Sequence, residues 1–162
     1  MMVMTCALME QNAQASDRTV DIYSACANGQ IENVRLLLGQ GTNVNAVNGD
    51  KETPLHIACY FGNLDIVRLL LASGANVDAV NDDKETPLHI ACRKNRLDIV
   101  RLLLPSGANI DAKNWQDVTP SMIANTRLNI LMTLPQTRDT LDKIIRYEQI
   151  IEIFRIIKKV QG

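Results

Sequence analysis

Thr53-Pro54-Leu55-His56-Ile57-Ala58-Cys59 recurs 33 residues later as Thr86-Pro87-Leu88-His89-Ile90-Ala91-Cys92, and Leu64-Asp65-Ile66-Val67-Arg68-Leu69-Leu70-Leu71 recurs as Leu97 to Leu104. Residues 53–85 and 86–118 agree at 22 of 33 positions. The frame continues on both sides with less fidelity. Upstream, Ile22, Ala25, Cys26, Gly29 and Val34 to Leu38 keep the register from Val20; downstream, Thr119-Pro120 and Ile123-Ala124 open a fourth unit. A period of this length marks a stacked array in which each unit buries its apolar face on the next.

The chemistry of one unit predicts two short helices. Thr53 caps the first with its hydroxyl, and Pro54 sits at the first helical position, where its missing N–H costs nothing. Leu55, Ala58 and Cys59 supply a small apolar face, and Gly62 offers the positive φ that ends the helix. The second helix starts near Leu64 and is apolar over more than one face, so it needs neighbours on two sides. Gly74 ends it, and an extended segment leads through Asn81-Asp82-Asp83 to a turn before the next Thr-Pro.

The 33-residue period and the Thr-Pro-Leu-His-x-Ala signature resemble the ankyrin repeat. The resemblance implies an all-α solenoid of about four helix-turn-helix repeats with projecting β-turn loops, with units at 20–52, 53–85, 86–118 and a degenerate one at 119–134. Residues 1–19 are then an N-terminal lead-in, partly helical or disordered, and 135–162 a C-terminal apolar helix that serves as cap or docking element. Asn95 stands where unit three should have its turn glycine, and Pro105 should shorten that unit's second helix. In unit four, Met122 replaces the histidine, Leu128 replaces the glycine, and Pro135 falls where the second helix should run.

Composition narrows the function. Seventeen basic against eighteen acidic side chains give a net charge of -1, so no global field attracts nucleic acid or an anionic membrane. Cys6, Cys26, Cys59 and Cys92 never form Cys-x-x-Cys, and with only His56 and His89 beside them no zinc-ligand spacing exists. No phosphate-binding glycine loop or paired-carboxylate arrangement stands out, so neither a metal, a cofactor nor catalysis is expected. Residues 1–9 are apolar but lack a basic start and a cleavage pattern, which favours an intracellular, reducing, cytoplasmic setting over the alternative of a secreted effector.

Both histidines occupy one register, and the resemblance implies that each bonds backbone beside its Thr-Pro turn and braces neighbouring repeats. Cys26, Cys59 and Cys92 read as small buried fillers. Asn45 resembles the asparagine that ankyrin hydroxylases modify in such loops, which makes it a candidate hydroxylation site.

In ankyrin-like stacks the turn tips and the solvent face of the first helices form the usual concave binding groove. Units two and three diverge there, at Tyr60-Phe61 against Arg93-Lys94 and at Asp82-Asp83 against Trp115-Gln116. The partner-binding candidates are therefore Tyr60, Phe61, Arg93, Lys94, Asp50, Asp82, Asp83, Trp115 and Gln116. Tyr60, Phe61 and Trp115 are half of the chain's six aromatics and sit where the fold does not need them, which suits interface anchors. The bland alternative packs Phe61 against a neighbouring repeat and Trp115 against the fourth unit.

The expected function is non-catalytic binding of another protein through this groove, as adaptor, scaffold or regulator. Residues 139–160 supply two alternatives. Their apolar residues extend too far round for one neighbouring helix to cover, which would suit a homodimer. Leu134-Pro135 with Leu141, Ile144-Ile145 and Tyr147 is also faintly similar to an F-box helix that recruits ubiquitin ligases.

Overall fold

The computed structural model describes residues 20–161, and the lead-in expected at 1–19 lies outside the described residues. Eight helices follow one another: α1 (Ile22–Ala27), α2 (Ile31–Gly39), α3 (Pro54–Phe61), α4 (Leu64–Ala72), α5 (Pro87–Arg93), α6 (Leu97–Leu103), α7 (Pro120–Met132) and α8 (Arg138–Gln161). Among the described residues there is no strand. Odd-numbered helices pack in one row, α1 on α3, α3 on α5 and α5 on α7. Even-numbered helices pack in a second, α2 on α4, α4 on α6 and α6 on α8. The result is an all-α solenoid with loops running between successive pairs.

Local chemistry starts each first-row helix. Thr53 and Thr86 accept from the N–H of His56 and His89, while the imidazoles accept from the threonine N–H in return, closing two reciprocal caps. Thr119 caps α7 through the Met122 N–H, without the return bond that a histidine would supply. Gly62 carries φ +85, which favours glycine, and a Cβ there would meet the Arg96 guanidinium at 2.6 Å, so that side chain would have to shift. Asn95 adopts φ 57 in the equivalent turn of unit three. Pro105 follows α6, which has seven residues against nine in α4.

The core is a ladder of equivalent positions. Ala25, Ala58, Ala91 and Ala124 are fully buried in the first row, and Val34, Val67 and Val100 in the second. Small residues between first-row helices let the helices approach; branched ones fill the gap behind them.

Unit four departs from the expected layout. α7 runs straight through Leu128, where its predecessors turn, and reaches thirteen residues. Pro135 lies in the connection between α7 and α8 and interrupts no helix, a correction to the sequence expectation. With no left-handed residue at 128, nothing stops α7 after two turns, and proline instead separates it from α8. α8 packs on α7 as each second helix packs on its first, and on α6 as the next second-row helix would. Ile144, Tyr147, Ile150 and Phe154 form its buried stripe.

Candidate partner-binding surface

The loop tips are built by asparagine. Oδ1 of Asn48 accepts from the N–H of Asp50 and Glu52, Asn81 from Asp83 and Glu85, and Asn114 from Gln116 and Val118. Lys51, Lys84 and Asp117 take positive φ within these turns. Successive tips are stitched by backbone: Asp82 N–H donates to Asp50 O, and Trp115 N–H to Asp83 O. Lys51 Nζ bridges to the Asp82 carboxylate at 2.8 Å. Asp50, Asp82, Asp83, Trp115 and Gln116 therefore stand on adjacent, mutually ordered turns.

Trp115 is 65% exposed and does not lie on the fourth unit. Its indole Nε1 donates to Asp82 O at 2.6 Å, and Lys84 Nζ stands 4.2 Å from its ring centroid. The side chain is thus held back over the preceding tip with its ring accessible. Tyr60 and Phe61 are 41% and 49% exposed at the end of α3, their centroids 5.1 Å apart. Lys94 Nζ sits 3.8 Å from the Tyr60 ring centroid. All three aromatics are exposed yet positioned.

Arg93 links the two groups. Its guanidinium makes a two-pronged pair with the Glu85 carboxylate, one bond at 2.6 Å. Glu85 is buried, not displayed on the tip as its register suggests, because it folds back beneath Arg93. Arg93 shares a shallow cleft of about 170 Å³ with Asp83, Trp115 and Gln116. Tyr60, Phe61 and Lys94 form a neighbouring cluster, and Asp50 stands apart from both, one tip further on. Lys84, which places Trp115, was not among the candidates, since that interaction does not follow from the 33-residue register.

The histidines serve the scaffold. Because Thr53 N–H donates to His56 Nδ1 at 3.1 Å, the imidazole proton is on Nε2, which donates at 3.0 Å to Glu85 O, the last residue of its own unit and the one before the next Thr-Pro turn. His89 repeats the pattern with Thr86 and Val118. Burial lowers both imidazole pKa values. The thiol of Cys26 is pushed up to about 12 by burial, and those of Cys59 and Cys92 are raised as well, so none is a ready nucleophile. Among the described residues, no group of three or more His, Cys, Asp or Glu is placed to hold a metal ion.

Asn45 bridges units, its Oδ1 accepting from Asn76 N–H at 2.8 Å. Asp78 makes the same bond to Asn109 N–H at 2.9 Å.

Among the described residues, no helix is long and apolar enough to cross a membrane. No curated protein matches the chain. A family model for ankyrin repeats, in three copies, matches residues 22–114, more than half of the chain. Such repeats are generally non-catalytic protein–protein interaction modules. With the two helical rows, the threonine-histidine caps and the stitched tips, the chain belongs to the ankyrin repeat family.

Proposed function

We propose that the chain binds a polypeptide partner through the face made by its loop tips and the ends of its first-row helices. Trp115, Tyr60 and Phe61 are the anchors; Arg93, Lys94, Asp50, Asp82, Asp83 and Gln116 set the partner's orientation. The carrying observation is that three large aromatics remain exposed while two of them are pinned by a lysine and Trp115 also by a backbone bond. Pinned side chains lose little rotamer freedom on binding, so more of the contact energy appears as affinity. The test is an affinity capture comparing wild type with Trp115→Ala and with a Tyr60→Ala, Phe61→Ala double variant, followed by titration of the recovered partner. Trp115→Ala should weaken binding by about 2 kcal/mol or more. Equal binding by all three would remove this face from consideration.

Asn45 is proposed as a hydroxylation site within the same module. Addition at Cβ leaves its amide free to keep the bond to Asn76, and a mass increase confined to an Asn45-containing peptide is the readout.

Self-association through α8 is the second reading. It is favoured by Leu141, Ile145, Ile156 and Val160, which remain exposed after α6 and α7 have covered the opposite side. Light scattering across a concentration range would give twice the 18.0 kDa mass for this dimer. The ligase-recruiting alternative has less to draw on: Ile144 and Tyr147 are buried, so only part of the F-box likeness is displayed.

A further inference from the structure

We propose a second docking site, at the place where α7 outruns α5, that takes an acidic peptide segment carrying a large apolar side chain. It rests on the reading of this chain as a polypeptide-binding module and uses an adjoining surface, which shares Arg93 and Lys94 with the first. α5 and α7 begin at equivalent Thr-Pro turns and pack side by side, yet α5 ends at Arg93, whose register partner is Thr126. The six residues from Arg127 to Met132 have no counterpart in α5 and extend about 9 Å beyond it. α8 closes the back of this overhang. The space between is a cleft of about 380 Å³, of a size that takes a compact ligand.

Its chemistry is two-sided. Ile130 and Leu134, 49% and 47% exposed, and the ring of Tyr147 give it an apolar lining. Arg93, Lys94, Arg127 and Lys143 also line it, and no carboxylate does. Arg93 is paired with Glu85 and Lys143 with Asp139, but among the described residues Lys94 and Arg127 are in no ion pair. The whole segment 119–162 has seven basic against four acidic side chains. The walls are tied together: Tyr147 Oη donates to Arg93 O at 3.1 Å, and Asn95 Nδ2 donates to Lys143 O at 3.1 Å. A segment with one buried apolar residue and flanking carboxylates matches both the lining and the charge. A long polyanion would find this patch but no extended basic field beyond it, the chain as a whole carrying -1.

The test is selection from a random peptide library displayed on phage, using the full chain, followed by fluorescence anisotropy with the selected peptides made synthetically. The expected result is a consensus of Asp or Glu around Leu, Ile, Phe or Trp. Its affinity should fall at least about tenfold on Arg127→Glu and on Leu134→Ser, and should weaken with added salt. Both substitutions are at exposed positions, and circular dichroism with thermal unfolding checks that the variants remain folded. Trp115→Ala should bind these peptides like wild type. Peptides without acidic residues, or peptides indifferent to both substitutions, would overturn the proposal, as would failure to enrich any peptide. Peptides lost on Trp115→Ala and kept on Arg127→Glu would also overturn it, while leaving the tip surface standing as a binding face. Retention of the chain on phosphatidylserine vesicles, lost with Arg127→Glu and without any peptide consensus, would assign the cleft to a lipid surface instead.

Discussion

The ends of α1, α3 and α5 each present a carbonyl that needs a donor, and the interior repeats and the C-terminal pair supply it differently. Ala27 O receives Asn63 Nδ2 at 3.1 Å, and Tyr60 O receives Arg96 Nη2 at 3.3 Å; the donors stand at the starts of α4 and α6, the second-row helices one repeat on. The third carbonyl of this register, Arg93 O, receives Tyr147 Oη, from well inside α8. A 33-residue step from Arg96 would reach Asn129, which lies in the uninterrupted α7. The lesson is that the stack preserves the bond while abandoning the residue, because a helix-end carbonyl lacks an intrahelical donor whichever sequence surrounds it. The first unit differs from the interior ones as well. Leu70 and Leu103 are fully buried at a register where Leu37 of the first unit is only half-buried.

The largest expected effect tests this contrast in burial. Leu70→Ala should cost about 2–5 kcal/mol of unfolding free energy, and Leu37→Ala roughly half of that, as measured by urea denaturation. Equal losses would mean that the first unit is covered by more than the described residues provide.

Next in size is the bond that joins α8 to α5. Tyr147→Phe keeps the ring and removes the donor, so it should cost about 1–2 kcal/mol, close to the loss for Asn63→Ala. If Asn63→Ala destabilises and Tyr147→Phe does not, α8 is an appendage and not a working member of the second row.

Units two and three should also respond to acid in a way that units one and four cannot, since Tyr23 and Met122 occupy the histidine register there. Burial holds the pKa values of His56 and His89 below their ordinary 6.5. The unfolded chain therefore binds protons first as pH falls. The contribution of these groups is complete above about pH 6.5 and is lost as pH drops from there through the depressed native values. Protonating Nδ1 would also set a second donor against the threonine N–H. Unfolding midpoints should decline below about pH 6.5, with a shallower decline in His56→Gln. An unchanged slope in that variant would remove the first imidazole from the pH response.

Cys59→Ala should have the smallest effect, about 1 kcal/mol or less, because the site is a small buried gap that alanine nearly fills. Thermal unfolding reads it directly. A loss comparable to that of Leu70→Ala would show that the shared cysteine register has more than a space-filling part in the stack.

Much of the fold was legible because its determinants are local. Thr53 and His56 are three residues apart, and Gly62 needs only its own φ and a neighbour one period away. The candidate surface was legible in outline, since the register assigns Trp115 to a tip and Tyr60 to a helix end. What holds Trp115 in place was not: Lys84 and Asp82 are on the preceding tip, and reaching them depends on side-chain direction as well as register. Arg93 and Glu85 likewise read as two displayed charges until the structure folds one beneath the other.

By itself the sequence determined the repeat length, the helix starts, the glycine turns and the apolar positions that stack, since each depends on short-range hydrogen bonding or on a period that copies itself. The tertiary structure alone decided where α8 lies, which donor serves Arg93 O and where the basic, apolar cleft opens. Those features arise where α7 fails to turn at Leu128 and the period ends. Beyond that point no register predicts a neighbour, and packing against α5 and α6 selects the partners.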